Sequence, residues 1–375
     1  TYTLFPHVFH TPVENLWKTH LKPYMVSLFF VQESDKNWYN FLMAVYGIGN
    51  PLIDLLCFVN DEDIENLSLF KGTMNLIDED KRKEIIEYLR KKEIIYSCGG
   101  SCPNTMVTLK SLGIETTLAG GIGFDELGEM YKSRLKELGV RDELVKNNAA
   151  TGTSIILVTQ DRERTMCTFL GANRNFDQSD VNLESAKNAD IFYFTGYMWD
   201  TESQQRAIRK VLDKKKEYGF KVAFDIADPF AVGRYRQTFF DIIKEYVDIV
   251  FANSEEARYL IDNYDAYECA KSIGKLCPVA IIKNGKKGSY ISENGNIYEI
   301  PVYGTSKPVD TTGAGDTYAS GFLYGVQKGY GVEDSGKIAS ILAGEIINQI
   351  GAQFSVEKSR ELKRYLEKNF PTESY

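Results

Sequence analysis

From Met43 onward, short runs rich in β-branched and aromatic residues alternate with amphipathic stretches of helical period, and this rhythm restricts the fold more than any other feature of the chain. The strand-like runs are Val45–Ile48, Ile94–Ser97, Thr116–Ala119, Ile191–Thr195, Val222–Asp225, Ile249–Ala252 and Ala280–Lys283. Between them the spacing predicts helices over Asp80–Arg90, Asn104–Leu112, Glu126–Leu138, Ser203–Tyr218, Phe239–Tyr246 and Glu255–Ile261. A strand-then-helix order of this kind implies an α/β fold: a mainly parallel sheet with helices on both faces. Ligands of such sheets bind beyond the carboxyl ends of the strands. Two stretches break the rhythm, Asp54–Asp78 and Thr151–Leu170. In the second, Ser154–Thr159 and Thr165–Leu170 read as a hairpin around Asp161-Arg162-Glu163. These stretches are expected to form a small β lid, with segments near 54–78 and 151–170.

Composition removes several chemistries. The only histidines, His7, His10 and His20, lie in the first twenty residues, so the main body has neither a Ser-His-Asp triad nor a His-rich metal site. A general base there must be a carboxylate, lysine, tyrosine or cysteine. A net charge of −8 disfavours non-specific binding to nucleic acid or to an anionic membrane. No apolar run approaches the ~20 residues of a membrane span. The six cysteines include no CxxC pair, which suits reduced thiols and a cytoplasmic protein. Residues 1–42 hold every histidine and two of the three tryptophans without clear periodicity. They are read as an N-terminal extension of unclear origin ahead of a single α/β domain over 43–375.

Near the C-terminal end the chain runs Val309-Asp310-Thr311-Thr312-Gly313-Ala314-Gly315-Asp316-Thr317 into an apolar helical pattern over Asp316–Lys328. Gly313 and Gly315 allow close approach of backbone to a ligand, and the free N–H groups at the helix start attract an anion. A carboxylate in that place repels phosphate unless it has another task. Asp316 makes sense as a base that takes a proton from an attacking hydroxyl. The alternative is an ordinary glycine turn in which Asp316 only starts the helix.

This turn, together with Cys98-Gly99-Gly100-Ser101-Cys102-Pro103-Asn104 and Gly120-Gly121-Ile122-Gly123-Phe124-Asp125-Glu126-Leu127-Gly128, resembles the two signature regions of the ribokinase-like carbohydrate and purine kinases. The resemblance runs from about Met43 to about Phe354. Gly49-Asn50-Pro51-Leu52-Ile53-Asp54 and Thr151-Gly152-Thr153 look most like the adenosine kinase branch. It implies ATP-dependent phosphorylation of the 5′-hydroxyl of a purine nucleoside, adenosine first. Ribose- or fructose-type sugar kinases, inosine–guanosine kinases and a non-catalytic nucleoside-binding relative are the alternatives.

Carried over residue by residue, the resemblance gives Asp316 and the Gly313-Ala314-Gly315 turn the catalytic role and makes Arg164 the arginine that closes on the transferring phosphoryl group, with Arg162 as its competitor. Asp54, Gly99, Gly100 and Asn104 would hold the sugar. Leu52, Tyr197 and Phe230 would sandwich the base and Asn50 would meet its edge. Asn253, Lys283, Gly285, Gly288 and Thr311 would serve the nucleotide, with Ile338–Asn348 packing near its base. Glu256 and Asn253 would hold Mg²⁺ largely through water. Asp310 is the candidate for a monovalent-cation site, K⁺ in this family. The implied partner is a small nucleoside or sugar, and the family includes both monomers and homodimers.

Overall fold

The computed structural model describes residues 43–304 and 307–371; the N-terminal segment lies outside the described residues. In chain order the strands are β1 (Ala44–Ile48), β2 (Leu52–Phe58), β3 (Met74–Leu76), β4 (Ile95–Gly99), β5 (Glu115–Gly123), β6 (Arg141–Asn147) and β7 (Thr153–Val158). They continue with β8 (Arg164–Phe169), β9 (Ile191–Thr195), β10 (Lys221–Asp225), β11 (Ile249–Asn253), β12 (Val279–Lys283), β13 (Ser289–Glu293) and β14 (Asn296–Ile300).

Nine of these form one sheet in the order β14-β13-β12-β11-β10-β9-β1-β5-β6. Every pairing from β12 to β6 is parallel, and β13 and β14 add an antiparallel edge. The central strands are buried on both faces, which is why β9 and β10 read as near-continuous apolar runs rather than as alternating ones. Alternate side chains feed two cores. On one face Tyr46, Ile48, Phe192, Phe194 and Phe224 pack together, with the Phe194 and Phe224 rings stacked 4.8 Å apart. On the other, Val45, Tyr193, Phe251 and Ile281 meet the helices Ser101–Ser111, Ala314–Gln327 and Val332–Ile346. Among the described residues no helix is long and apolar enough to cross a membrane.

The stretches expected to form a lid build more than a hairpin. They belong to a second, five-stranded sheet in the order β3-β8-β7-β2-β4. The run Ile94–Ser97, expected in the main sheet, corresponds to β4, which pairs antiparallel with β2 in this second sheet. The expected hairpin is present as β7 and β8, paired from Thr153↔Phe169 to Val158↔Arg164. Strand alternation divides the sheet's side chains. Ile53, Leu55, Cys57, Ile155, Leu157 and Cys167 turn into the core beneath the helices Asp61–Asn66 and Glu79–Leu89, whereas Leu52, Asp54, Ser154, Ile156, Met166 and Thr168 line a cavity.

The second sheet joins the main one through two excursions of the chain, and each closes at a narrow neck. Where the first returns, Gly100 has φ +102°, and a side chain there would overlap the Asn50 carbonyl. Where the second returns, Gly171 has φ +51° and stands in the same relation to the Ala150 carbonyl, which accepts from the Ala172 N–H at 2.8 Å. A glycine is required at both necks by the same two constraints, a positive φ and a backbone neighbour in contact.

Candidate active site

The parallel strands all end on one side, and their ends supply the site. β1 is the switch point: β5 and β6 lie on one side of it and β9 to β12 on the other, the arrangement that opens a crevice. Asn50 follows β1, Tyr197 follows β9, and Asp225, Asn253 and Lys283 are the last residues of β10, β11 and β12. With the second sheet above, they enclose a cavity of about 1040 Å³. That is large enough for two substrates rather than one.

Asp316 lies in the wall of this cavity, in the first turn of the helix Ala314–Gln327. Gly313 caps that helix at φ +74°, so the backbone turns sharply and leaves the helix start, with its unpaired N–H groups, facing the cavity. The Asp316 carboxylate accepts hydrogen bonds from Ser101 Oγ at 2.7 Å and Asn104 Nδ2 at 2.9 Å. Burial pushes its pKa up to about 6 against these hydrogen bonds, with the charge of Asp225 adding to the rise and Lys283 opposing it. The group is therefore ionised at neutral pH yet basic enough to take a proton. Asn104 is itself oriented. Gln353 Nε2 donates to the Cys98 carbonyl at 3.0 Å and to Asn104 Oδ1 at 3.1 Å, which leaves the Asn104 nitrogen for Asp316.

Asp54 enters from β2. Burial pushes its pKa up to about 7, the nearby Asp316 carboxylate adds to the rise, and Arg164 opposes it. Gly99 leaves room for it, because any side chain there would overlap the Asp54 carboxylate. Leu52, Ile156, Met166 and Leu170 line the cavity with apolar surface from the second sheet and its neck, and Tyr197 lines it from the end of β9. Tyr197 is fixed by donating its hydroxyl proton to the Ala227 carbonyl at 3.1 Å. Phe230 is not with them. It is 70% exposed and outside the cavity lining. Asp228 caps the helix Pro229–Tyr246 through the N–H groups of Phe230 and Ala231, and the helix buries Ala231 and Val232, turning the Phe230 ring to solvent.

The other end of the cavity is charged. Lys283 Nζ lies 3.0 Å from Asp225 Oδ2. Burial disfavours its charge, but Asp225 and Glu256 outweigh burial and raise its pKa, so it stays an ammonium. The ammonium stands 3.4 Å from the point where a side chain on Gly315 would begin, directly over the glycine turn. Thr311, Ala314, Gly315, Gly285 and Gly288 share this end, as do Ser340, Ala343, Gly344 and Ile347 from the expected base-packing segment. Asn253 and Glu256 form a reciprocal cap: the Asn253 N–H and Nδ2 donate to Glu256 at 2.7 and 2.6 Å, and Asn253 Oδ1 accepts from the Glu256 N–H at 2.8 Å. Burial pushes Glu256 up to about 7, opposed first by Lys283. Among the described residues no cluster of three His, Cys, Asp or Glu side chains is placed to hold a metal. A few oxygen donors beside a lysine suit an ion that arrives on phosphate and keeps its waters, as Mg²⁺ does.

Arg164, on β8, donates to Thr312 Oγ1 and, at 2.7 Å, to Asp310 Oδ2, tying the second sheet to the glycine turn. Arg162 is exposed in the turn between β7 and β8. Asp310 also accepts from the Thr312 N–H and hydroxyl on Oδ1 and from the Gly351 N–H on Oδ2. Four protein donors therefore take up both its oxygens, and in this arrangement it anchors Arg164 rather than offering an open cation ligand. Sequence reading missed Ser101, Asp225 and Gln353. Ser101 had a signal, since it stands three residues before Asn104 and so shares its face of the helix; Gln353 belongs to no motif.

Residues 70–359 match the family described as pfkB family carbohydrate kinase. The adenosine kinase of Saccharomyces cerevisiae is 28% identical over 332 residues, covering 83% of this chain and 96% of its own. The crystal structure of adenosine kinase from Sinorhizobium meliloti superposes with a TM-score of 0.79 at 31% identity, covering 86% of this chain and 99% of that one. A probable sugar kinase protein from Rhizobium etli gives 0.80 at 32%, covering 88% and 98%. The matched residues take in the glycine turn, Asp316, Lys283 and most of the second sheet, and the chain belongs to the pfkB family of carbohydrate kinases.

Proposed function

We propose that this kinase transfers the γ-phosphoryl group of ATP to the 5′-hydroxyl of a purine nucleoside, with adenosine as the first acceptor to consider. Membership of the family makes it a phosphotransferase with an alcohol acceptor. The observation that carries the nucleoside reading is the apolar surface, one aromatic ring included, that Leu52, Ile156, Met166, Leu170 and Tyr197 give the cavity. A free sugar has little use for such a surface, whereas a purine stacked on an aromatic ring gains roughly 1–3 kcal/mol. Two of the named relatives are adenosine kinases.

In this reading Asp54 accepts hydrogen bonds from the ribose hydroxyls, and the 5′-hydroxyl lies at Asp316. Asp316 takes the hydroxyl proton as its oxygen forms a bond to the γ-phosphorus; the bond from that phosphorus to the bridging oxygen breaks and ADP leaves. Lys283 and the N-terminus of the helix Ala314–Gln327 stabilise negative charge on the transferring group. Arg164 joins them when it exchanges Asp310 for phosphate. Magnesium enters with the nucleotide as part of the substrate, and Asn253 and Glu256 are the residues that would meet its waters. The second sheet keeps water from competing with the acceptor.

The test is ATP-dependent phosphorylation of adenosine, inosine, guanosine, ribose and fructose with Mg²⁺, in the presence and absence of K⁺. Turnover of adenosine well above the sugars is the expected result. Turnover of sugars alone would assign the cavity to a carbohydrate acceptor, and no turnover would support a nucleoside-binding role without catalysis.

A further inference from the structure

A fully buried glutamine stands behind the acceptor end of the cavity. Gln204, in the helix Glu202–Leu212, is 0% exposed, and every part of its amide is committed. Its Nε2 donates to the main-chain carbonyl of Asn173 at 3.0 Å and to Asn50 Oδ1 at 2.6 Å. Its Oε1 accepts from the Thr201 hydroxyl at 3.1 Å. A carbonyl can only accept, so the Asn173 contact fixes which end of the Gln204 amide is nitrogen. The second Nε2 proton then fixes which end of the Asn50 amide is oxygen. Asn50 lines the cavity, and among the described residues nothing accepts from its Nδ2.

We infer that Gln204 is a positioning residue that sets specificity: by holding the oxygen of Asn50 from behind, it turns the Asn50 nitrogen toward the acceptor and makes this wall a hydrogen-bond donor. The ligand must then present an acceptor atom, such as an unprotonated ring nitrogen of a heterocyclic base. An unrestrained asparagine would offer either end and select nothing. Gln204 itself lies outside the cavity lining and acts only through Asn50. The inference rests on the nucleoside reading above.

The experiment compares adenosine with its 1-deaza, 3-deaza and 7-deaza analogues on the wild type, Gln204→Met and Gln204→Glu. In the wild type, one analogue, the one lacking the nitrogen that Asn50 meets, loses at least ~10-fold in kcat/KM, mainly through KM. In Gln204→Met that penalty shrinks below ~3-fold while kcat with adenosine stays within ~3-fold, because the freed amide no longer discriminates. Gln204→Glu, whose carboxylate accepts from the Asn50 nitrogen and turns its oxygen to the ligand, raises the adenosine KM. Circular dichroism melting checks that the variants fold. Should both fail to fold, Asn50→Asp keeps the hydrogen bond from Gln204 but offers the ligand only acceptors, so it must erase the same analogue's penalty. Equal treatment of all analogues by the wild type, or an unchanged penalty in the folded variants, overturns the inference. A wild type that phosphorylates no nucleoside overturns the nucleoside reading itself, which the wild-type measurements alone reveal.

Discussion

The two aspartates that bracket the glycine turn are the same residue type six positions apart, yet their surroundings drive them in opposite directions. Asp310 is saturated. Burial raises its pKa, but hydrogen bonds from Gly351 and Thr312 and the charge of Arg164 outweigh burial and hold it below the usual carboxylate value. Asp316 has two side-chain donors, a neighbouring carboxylate and a half-buried setting, and burial leaves it at about 6. The difference separates an anchor from a base: donors that saturate a carboxylate fix a structure, whereas sparse donors in a desolvated place leave it able to accept a proton.

The largest test of that contrast is Asp316→Asn, which is expected to lower kcat by at least ~10²-fold while nucleotide affinity measured by calorimetry stays nearly constant. Asp310→Asn is expected to lower kcat far less but to lose about 1–3 kcal/mol of stability in denaturant titration, because it weakens an acceptor serving several donors. Comparable kcat losses in the two variants would erase the distinction.

The pH dependence sharpens it. The raised Asp316 favours the folded state most below the ordinary carboxylate pKa, and this contribution is lost as pH rises through about 6. Asp54, raised to about 7, acts in the same sense. The lowered Asp310 contributes stability above the ordinary carboxylate pKa and loses it as pH falls. Relative to wild type, Asp316→Asn should therefore fare better at pH 8 than at pH 5, and Asp310→Asn worse at pH 8 than near pH 3, in denaturant titrations at each pH. Activity should follow the base: kcat/KM also carries the protonation of Asp54 and declines already as pH drops through about 7, while kcat at saturating acceptor declines as pH drops through about 6. The smallest expected effect is that of Ser101→Ala: removing one donor to Asp316 moves that acidic limb to higher pH, with modest loss of kcat at neutral pH. An unmoved limb would mean that Asn104 alone sets the basicity of Asp316.

The central strands of the main sheet, β1, β5 and β9 to β12, are legible because their signal is local, an apolar run for each, as is the glycine turn by its spacing. The partly exposed strands β6, β13 and β14 at its edges carry no such run and are not expected from the sequence. The second sheet was only half legible. The residues of β4 look like any strand, and whether they join β2 or the main sheet depends on a partner some forty residues earlier. Phe230 reads as a stacking ring because aromatic type is visible in a sequence, while the rotation of the helix that Asp228 caps is not. Gln204 and Gln353 were invisible for a related reason. Each works by splitting its two protons between a main-chain carbonyl and an asparagine, and no spacing rule marks such a pair.

The two necks bear on how such a chain can change over evolutionary time. Because each excursion leaves and returns at touching backbones, its two ends are held together by the main sheet, and lengthening or trimming it alters the closure entropy only by a logarithmic increment. A cover of different size can be spliced in above Gly100 and Gly171 without re-registering β1, β5 or β9. The main sheet and its phosphate chemistry can be inherited unchanged while the roof over the acceptor is exchanged for another.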